Sequence, residues 1–161
     1  MRTVDERLYR ELSRKASESP RRRAHHLLHA SREDAVQRLA VVMHRATYIR
    51  PHRHALPQSW EQFCIHRGRA VALTFDDDGR VLERTELDAQ RGPFIVEIEA
   101  GRWHTLTALE DDSLLSEYKQ GPFRPVADGD WAAWTPAEGE AGAQALAEWF
   151  LDARPGDVYG A

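Results

Sequence analysis

The apolar positions of this chain change period twice. Near the N-terminus Val4, Leu8 and Leu12 recur every four residues, which is one face of a helix. Thr3 with Glu6 three positions later supplies the hydroxyl and carboxylate that close a first turn. The helix so predicted ends before Ser19-Pro20. Ser31-Arg32-Glu33-Asp34 repeats the start signal, and Val36, Leu39, Ala40 and Met43 then mark one face of a predicted second helix. Between the two, His25-His26-Leu27-Leu28-His29 reads as a loop or edge segment packing on the core.

From Ala46 the period becomes two and stays so to about Lys119. Glu61, Phe63 and Ile65 share one face of a strand, and Val71, Leu73 and Phe75 share one face of the next. Asp76-Asp77-Asp78-Gly79 is a hairpin turn, read as solvated because it lacks the alternating ligands of a calcium loop. Arg80–Leu87 returns as a strand. Gly92-Pro93 breaks the chain before Phe94–Ile98, and Ala100-Gly101 turns it again before His104–Leu109 and Leu114–Lys119. About seven short strands at intervals of roughly 8–12 residues predict a sandwich or barrel.

After the irregular Gly121-Pro122-Phe123-Arg124-Pro125, Trp131 and Trp134 are expected to pack across the barrel. Thr135-Pro136-Ala137-Glu138 reads as a third helix start, and Leu146, Trp149 and Phe150 as the buried face of a terminal helix ending at Pro155-Gly156. The expected organisation is one structural unit. An N-terminal helical arm (1–45) packs on a β-barrel (46–134), followed by a C-terminal helix and tail (135–161).

Composition narrows the function. With 161 residues the chain can bury a proper core, and a net charge of −4 argues against general nucleic-acid binding. Arg21-Arg22-Arg23, the one basic cluster, reads as solvated. No stretch has the apolar length of a bilayer span, and the charged N-terminus has no apolar leader region, so a cytoplasmic protein is expected. A single cysteine, Cys64, excludes an internal disulfide. It reads as an inert thiol, although His66 shares its parity and keeps a catalytic alternative open.

The chemistry gathers at Tyr48-Ile49-Arg50-Pro51-His52-Arg53-His54. Two histidines one residue apart face the same way only on extended backbone, so His52 and His54 offer two imidazoles to one point. Glu61 at the start of a strand and His104 just after a glycine turn complete a candidate set of three nitrogens and a carboxylate. That set suits a divalent iron, manganese, nickel or zinc ion. Tyr48 and Arg50 share strand parity with the histidines and are expected to face the pocket. There Tyr48 could be an acid and Arg50 could hold a carboxylate or phosphate. Lys119, one of two lysines in the chain, is a second candidate for proton transfer, with Glu117 as its partner and His29 as a substrate contact.

These residues also carry a resemblance. Pro51-His52-Arg53-His54 with Glu61 and Gly68 resembles the first cupin motif, and Glu99-Ala100-Gly101-Arg102-Trp103-His104 resembles the second. Further pieces are Leu28-His29, Val36-Gln37-Arg38-Leu39, Trp60-Glu61, Glu117-Tyr118-Lys119 and Gly121-Pro122-Phe123. With them, the stretch from Ser19 to Trp134 is similar to the WbuC-type cupin fold metalloproteins of O-antigen gene clusters. The resemblance implies a cupin-type antiparallel jelly-roll β-barrel, one divalent metal, a homodimer, and His52, His54, Glu61 and His104 as ligands. It also implies a small-molecule substrate such as a sugar or nucleotide-sugar intermediate of surface-polysaccharide synthesis.

The pattern departs from the motifs in four respects: Ala46 stands at the first motif's leading glycine, Glu99 at the second motif's proline, Ala108 at its terminal asparagine, and the spacing before Glu61 is long. Six residues separate His54 from Glu61, longer than the motif's own spacing, which leaves Gln58 or a water as the alternative fourth ligand. Three functional classes stay open. They are a metal-dependent isomerase, epimerase or dioxygenase-type enzyme, a non-catalytic binding or sensing module, and a metal-free epimerase with a histidine as base.

Overall fold

A computed structural model describes residues 1–160. Helix α1 (Glu6–Glu18) leads into β1 (Arg23–Leu27), β2 (Val36–Met43), β3 (Glu61–Arg67), β4 (Arg69–Phe75) and β5 (Val81–Asp88). Strands β6 (Ile95–Ile98), β7 (Trp103–Ala108) and β8 (Ser113–Gln120) follow, then α2 (Ala143–Phe150). All strand pairs are antiparallel. They form a five-stranded sheet in the order β1-β2-β8-β3-β6 and a three-stranded sheet in the order β5-β4-β7.

Strand alternation builds the layers. Leu39, Val41, Phe63, Ile65 and Leu115 from the large sheet meet Ala70, Ala72, Leu87 and Leu106 from the small one in the inner core. The opposite face of β4 carries Val71, Leu73 and Phe75 into a second cluster under α2, with Leu146 and Phe150. A third cluster, Ala40, Val42 and Leu114, is capped by Leu12 and Ala16 of α1. The order is thus helix, large sheet, small sheet, helix. Filling a sheet on both faces removes far more apolar area from water than a half-exposed sheet does.

Three local expectations are corrected. The first helix is capped by Asp5, whose Oδ1 accepts from the Leu8 N–H at 2.9 Å, and not by Thr3. The second helix is absent, because Val36–Met43 is strand β2, paired with β1 on one side and β8 on the other. Its residues alternate between the inner core and the α1 cluster, and burial on both faces left an apolar run that also fitted a helical period. The barrel therefore begins at β1, within the stretch read as a helical arm. The third correction concerns Thr135. It starts no helix, and its hydroxyl donates to the Ala132 carbonyl at 2.8 Å. Gly139 and Gly142, at φ 86° and 88°, interrupt the chain before α2 begins.

Candidate metal site

The segment Pro51–His54 is extended but belongs to no regular strand. It lies between the start of β7 and the turn at Asp130–Ala132. His52 and His104 exchange both main-chain hydrogen bonds (3.1 and 2.9 Å), and the His54 carbonyl accepts from Gly101 at 2.9 Å. On its other edge Arg53 N–H donates to Asp130 O and Pro51 O accepts from Ala132. Pro51, with no N–H to offer, sits where only its carbonyl is needed. Directly paired antiparallel residues point to one face, which puts the His52 and His104 rings 4.5 Å apart between centroids.

Each of these rings is aimed by its own backbone. His52 Nδ1 lies 3.0 Å from Arg50 O and His104 Nδ1 2.8 Å from Arg102 O. A carbonyl only accepts, so both Nδ1 atoms carry a proton and both Nε2 atoms are turned toward the site. Glu61, the first residue of β3 and 3% exposed, brings a carboxylate to the same point. Its Oε2 stands 3.0 Å from His104 Nε2 and 3.5 Å from His54 Nε2. One ligand atom from each of His52, His54, Glu61 and His104 falls within 4.8 Å of every other.

This arrangement leaves a cation to be supplied. His104 Nε2 and a Glu61 carboxylate oxygen face each other at 3.0 Å, and both are atoms that can ligate a cation. His54 Nε2 is buried and has no hydrogen-bond partner among the described residues. A buried polar atom with no partner costs free energy, and a shared cation removes that cost at all the atoms together. Three imidazoles and one carboxylate, two of the imidazoles held by a carbonyl behind the ring, are the donor set of a borderline divalent ion. The residues fit such an ion.

Behind Glu61 the register sets a charged row. Glu61 pairs with Lys119 of β8, and Lys119 pairs with Gln37 of β2. Lys119 Nζ reaches Glu61 Oε1 at 3.2 Å and Glu117 Oε1 at 2.7 Å. Burial pushes the Glu61 carboxyl upward, but the Lys119 charge and the His104 and His54 imidazoles beside it outweigh that and hold it well below the usual carboxylate range. Glu117 moves the other way, raised by burial and by the Glu61 charge. Burial works against the Lys119 charge, yet the two carboxylates keep it above its ordinary value. His52 is pushed down to about 3 by burial and by His104 beside it, so it stays neutral at pH 7.

Not every residue expected at the pocket is there. Tyr48 donates from its hydroxyl to Pro136 O at 2.8 Å and stacks on Phe150, in the cluster beneath α2. Arg50 spends its guanidinium on Thr135 Oγ1 and Ala132 O and lies over the Trp131 ring. Both had been placed by strand parity, and parity does not hold where the segment is irregular. His29 closes the β1–β2 connection, its Nδ1 accepting from the Arg38 N–H at 2.9 Å. Cys64 takes a hydrogen bond from the Gln62 amide, and its parity neighbour His66 turns to Ser116 instead.

Two openings meet at His54. One cavity, about 220 Å³, is walled by His54, Gln58, Trp60, Lys119, Phe123 and Arg124. A second, about 390 Å³, is lined by the same histidine together with Arg53 and Asp130, and again includes Arg124. Gln58 thus lines the approach, while Glu61 stands among the donors. Nothing in the residue pattern singles out Arg124, one arginine among twenty in the chain and set between two prolines.

A family model described as a domain of unknown function, DUF6016, matches residues 4–87. The chain belongs to the DUF6016 family. No curated protein matches it by sequence. Among solved structures, oxalate oxidase in complex with glycolate is 14% identical, with a TM-score of 0.52, over 69% of this chain and 57% of that one. A protein from Shewanella oneidensis is 12% identical at a TM-score of 0.51, covering 62% of this chain and 68% of its own. A conserved Streptococcus pyogenes protein of unknown function is 12% identical at 0.50, covering 76% and 90%. At these identities the likeness is one of fold. The DUF6016 chain is a cupin-type jelly roll, mainly antiparallel β with two helices. Among the described residues no helix is long and apolar enough to cross a membrane.

Proposed function

We propose that this protein is a metal-binding cupin that acts on a small polar molecule, with His52, His54, Glu61 and His104 as the ligands. The observation that carries the reading is the convergence of these four side chains, one ligand atom of each within 4.8 Å of every other, with His54 Nε2 buried and unpartnered among the described residues. Iron, manganese, nickel and zinc are the ions the donor set suits. A bound divalent ion supplies a Lewis acid that polarises a substrate oxygen.

The protein's own contribution is electrostatic and positional. Arg50 O and Arg102 O hold two imidazoles with Nε2 turned toward the site. Lys119 keeps Glu61 ionised in a buried place, and its ammonium, at the edge of the cleft, is a charged hydrogen-bond donor for a bound molecule. The WbuC-type resemblance extends the reading to a sugar or nucleotide-sugar intermediate of surface-polysaccharide synthesis, a cytoplasmic site and a homodimer. An isomerase, epimerase or dioxygenase-type reaction fits that class.

The test is calorimetric titration of metal-stripped protein, under anaerobic conditions, with manganese, iron(II), nickel and zinc. One ion per chain is expected for wild type, with at least tenfold weaker binding in Glu61→Gln and none in His104→Ala. Equal binding by all three proteins would refute the assignment. A site that binds tightly, takes small molecules and turns none over supports the binding-module alternative.

A further inference from the structure

The mouth of the barrel is rich in arginine, and nearly all of it is already engaged. Arg50 holds Thr135 and Ala132, Arg53 pairs with Asp130 and lies over Trp103, and Arg102 faces Glu99. Arg124 is different. It borders both cavities that meet at His54, yet among the described residues it makes no hydrogen bond or ion pair.

Its position is nonetheless built. Pro122 and Pro125 flank the stretch, Gly121 N–H donates to Ala35 O at 2.9 Å, and Phe123 N–H donates to Arg32 O at 2.6 Å. Gly121 lies so close to the neighbouring loop that an added Cβ would stand 1.9 Å from Asp34 O. The exposed guanidinium is therefore carried on backbone that is tied, just before Arg124, to the loop at Arg32–Ala35.

Charge and size point the same way. Resting on the metal-site reading above, the centre holds a divalent ion and Lys119 against Glu61 and Glu117. It stays positive whichever protonation state Glu117 takes. The smaller cavity is about 220 Å³, and the second, about 390 Å³, shares His54 and Arg124 with it. That is room for a short molecule, with the Trp60 and Phe123 rings as apolar walls. We propose that the site is specific for a small organic acid, with its carboxylate on the forked guanidinium of Arg124 and its other oxygens turned toward His54 and Glu61. A planar two-toothed donor matches a carboxylate better than it matches a neutral hydroxyl.

The experiment uses the full chain loaded with metal, as wild type and Arg124→Gln, with metal content measured before each titration. The calorimetric probes are lactate, malate and glucuronate, each against its neutral amide, together with UDP-glucose. Wild type is expected to bind at least one acid at least tenfold more tightly than its amide. Arg124→Gln should keep its metal and lose at least tenfold for the acid, the scale of one charge-assisted hydrogen bond. Acid and amide binding alike, an unchanged Arg124→Gln, tighter binding of UDP-glucose than of every acid, or no binding by any probe would each overturn the proposal. A wild type that takes up no metal overturns the site reading instead. The acid and amide pairs are then run on the metal-free chain, where the role of Arg124 stands or falls by the same comparison.

Discussion

Removing the Lys119 ammonium should expose how the interior charges are balanced. Lys119 is the cation paired with Glu61, which is 3% exposed, and with Glu117, which is 8% exposed, at 3.2 and 2.7 Å. Lys119→Met keeps most of the side-chain volume and leaves two buried carboxylates facing each other. Stripping one partner from a buried ion pair costs about 3–5 kcal/mol. Here Glu117 limits the loss by taking up a proton, since burial and Glu61 already raise its pKa and removing Lys119 raises it further. A carboxyl whose folded pKa lies above its unfolded value binds more protons folded than unfolded. Its stabilising effect is present at low pH and is lost as pH rises through the folded pKa.

The deficit of Lys119→Met should therefore be largest at pH 8 and smaller at pH 5.5. Adding Glu117→Gln should recover about 1–2 kcal/mol at pH 8, because neutralising one carboxylate removes the repulsion. The assay is urea unfolding of metal-free protein followed by tryptophan fluorescence. With a slope of about 2 kcal/mol/M, the single variant should unfold roughly 1.5–2.5 M earlier. A loss under about 1 kcal/mol, or a deficit independent of pH and unaltered by Glu117→Gln, would refute the role given to Lys119.

Three further outcomes are expected. Stability of the metal-free protein should fall below pH 6.5, because His52, pushed down to about 3, rejects a proton that the unfolded chain accepts. By pH 5 the loss from this one group is about 2 kcal/mol, and His52→Gln should flatten that part of the stability–pH curve measured by thermal unfolding. Gly121→Ala should cost about 1–3 kcal/mol and weaken small-molecule binding, since the new methyl must displace the Asp34 carbonyl and with it the wall of the cleft. Leu106→Ala, in the inner core at 1% exposure, should cost about 2–5 kcal/mol in denaturant unfolding without altering metal stoichiometry.

Much of this molecule was legible in its residues because strand alternation writes burial directly into sequence. Glu61, Phe63 and Ile65 fall on one face as their period demands, and Gly79 and Gly101 turn the chain where expected at φ 85° and 79°. The four ligand-type side chains were legible from residue type and motif spacing, and the approach of His52 to His104 in space follows from their main-chain pairing. The failures come from places where period and structure part. β2 is buried on both faces, so Val36, Leu39, Ala40 and Met43 fitted a helical stripe by accident of composition. Tyr48 and Arg50 were assigned by alternation along a segment whose hydrogen bonds are made one residue at a time to different neighbours. There parity has no force. Arg124 carried no signal, because its importance lies in the pairs it does not make.

The central claim is that His52, His54, Glu61 and His104 hold one metal ion. It is tested most directly by elemental mass spectrometry on untagged protein purified without a metal-chelating column, with His52→Ala and His104→Ala alongside. The account predicts close to one iron, manganese, nickel or zinc per wild-type chain and its loss in both variants, with fold retained by circular dichroism. A wild type that is purified empty and stays empty after incubation with those ions would contradict it.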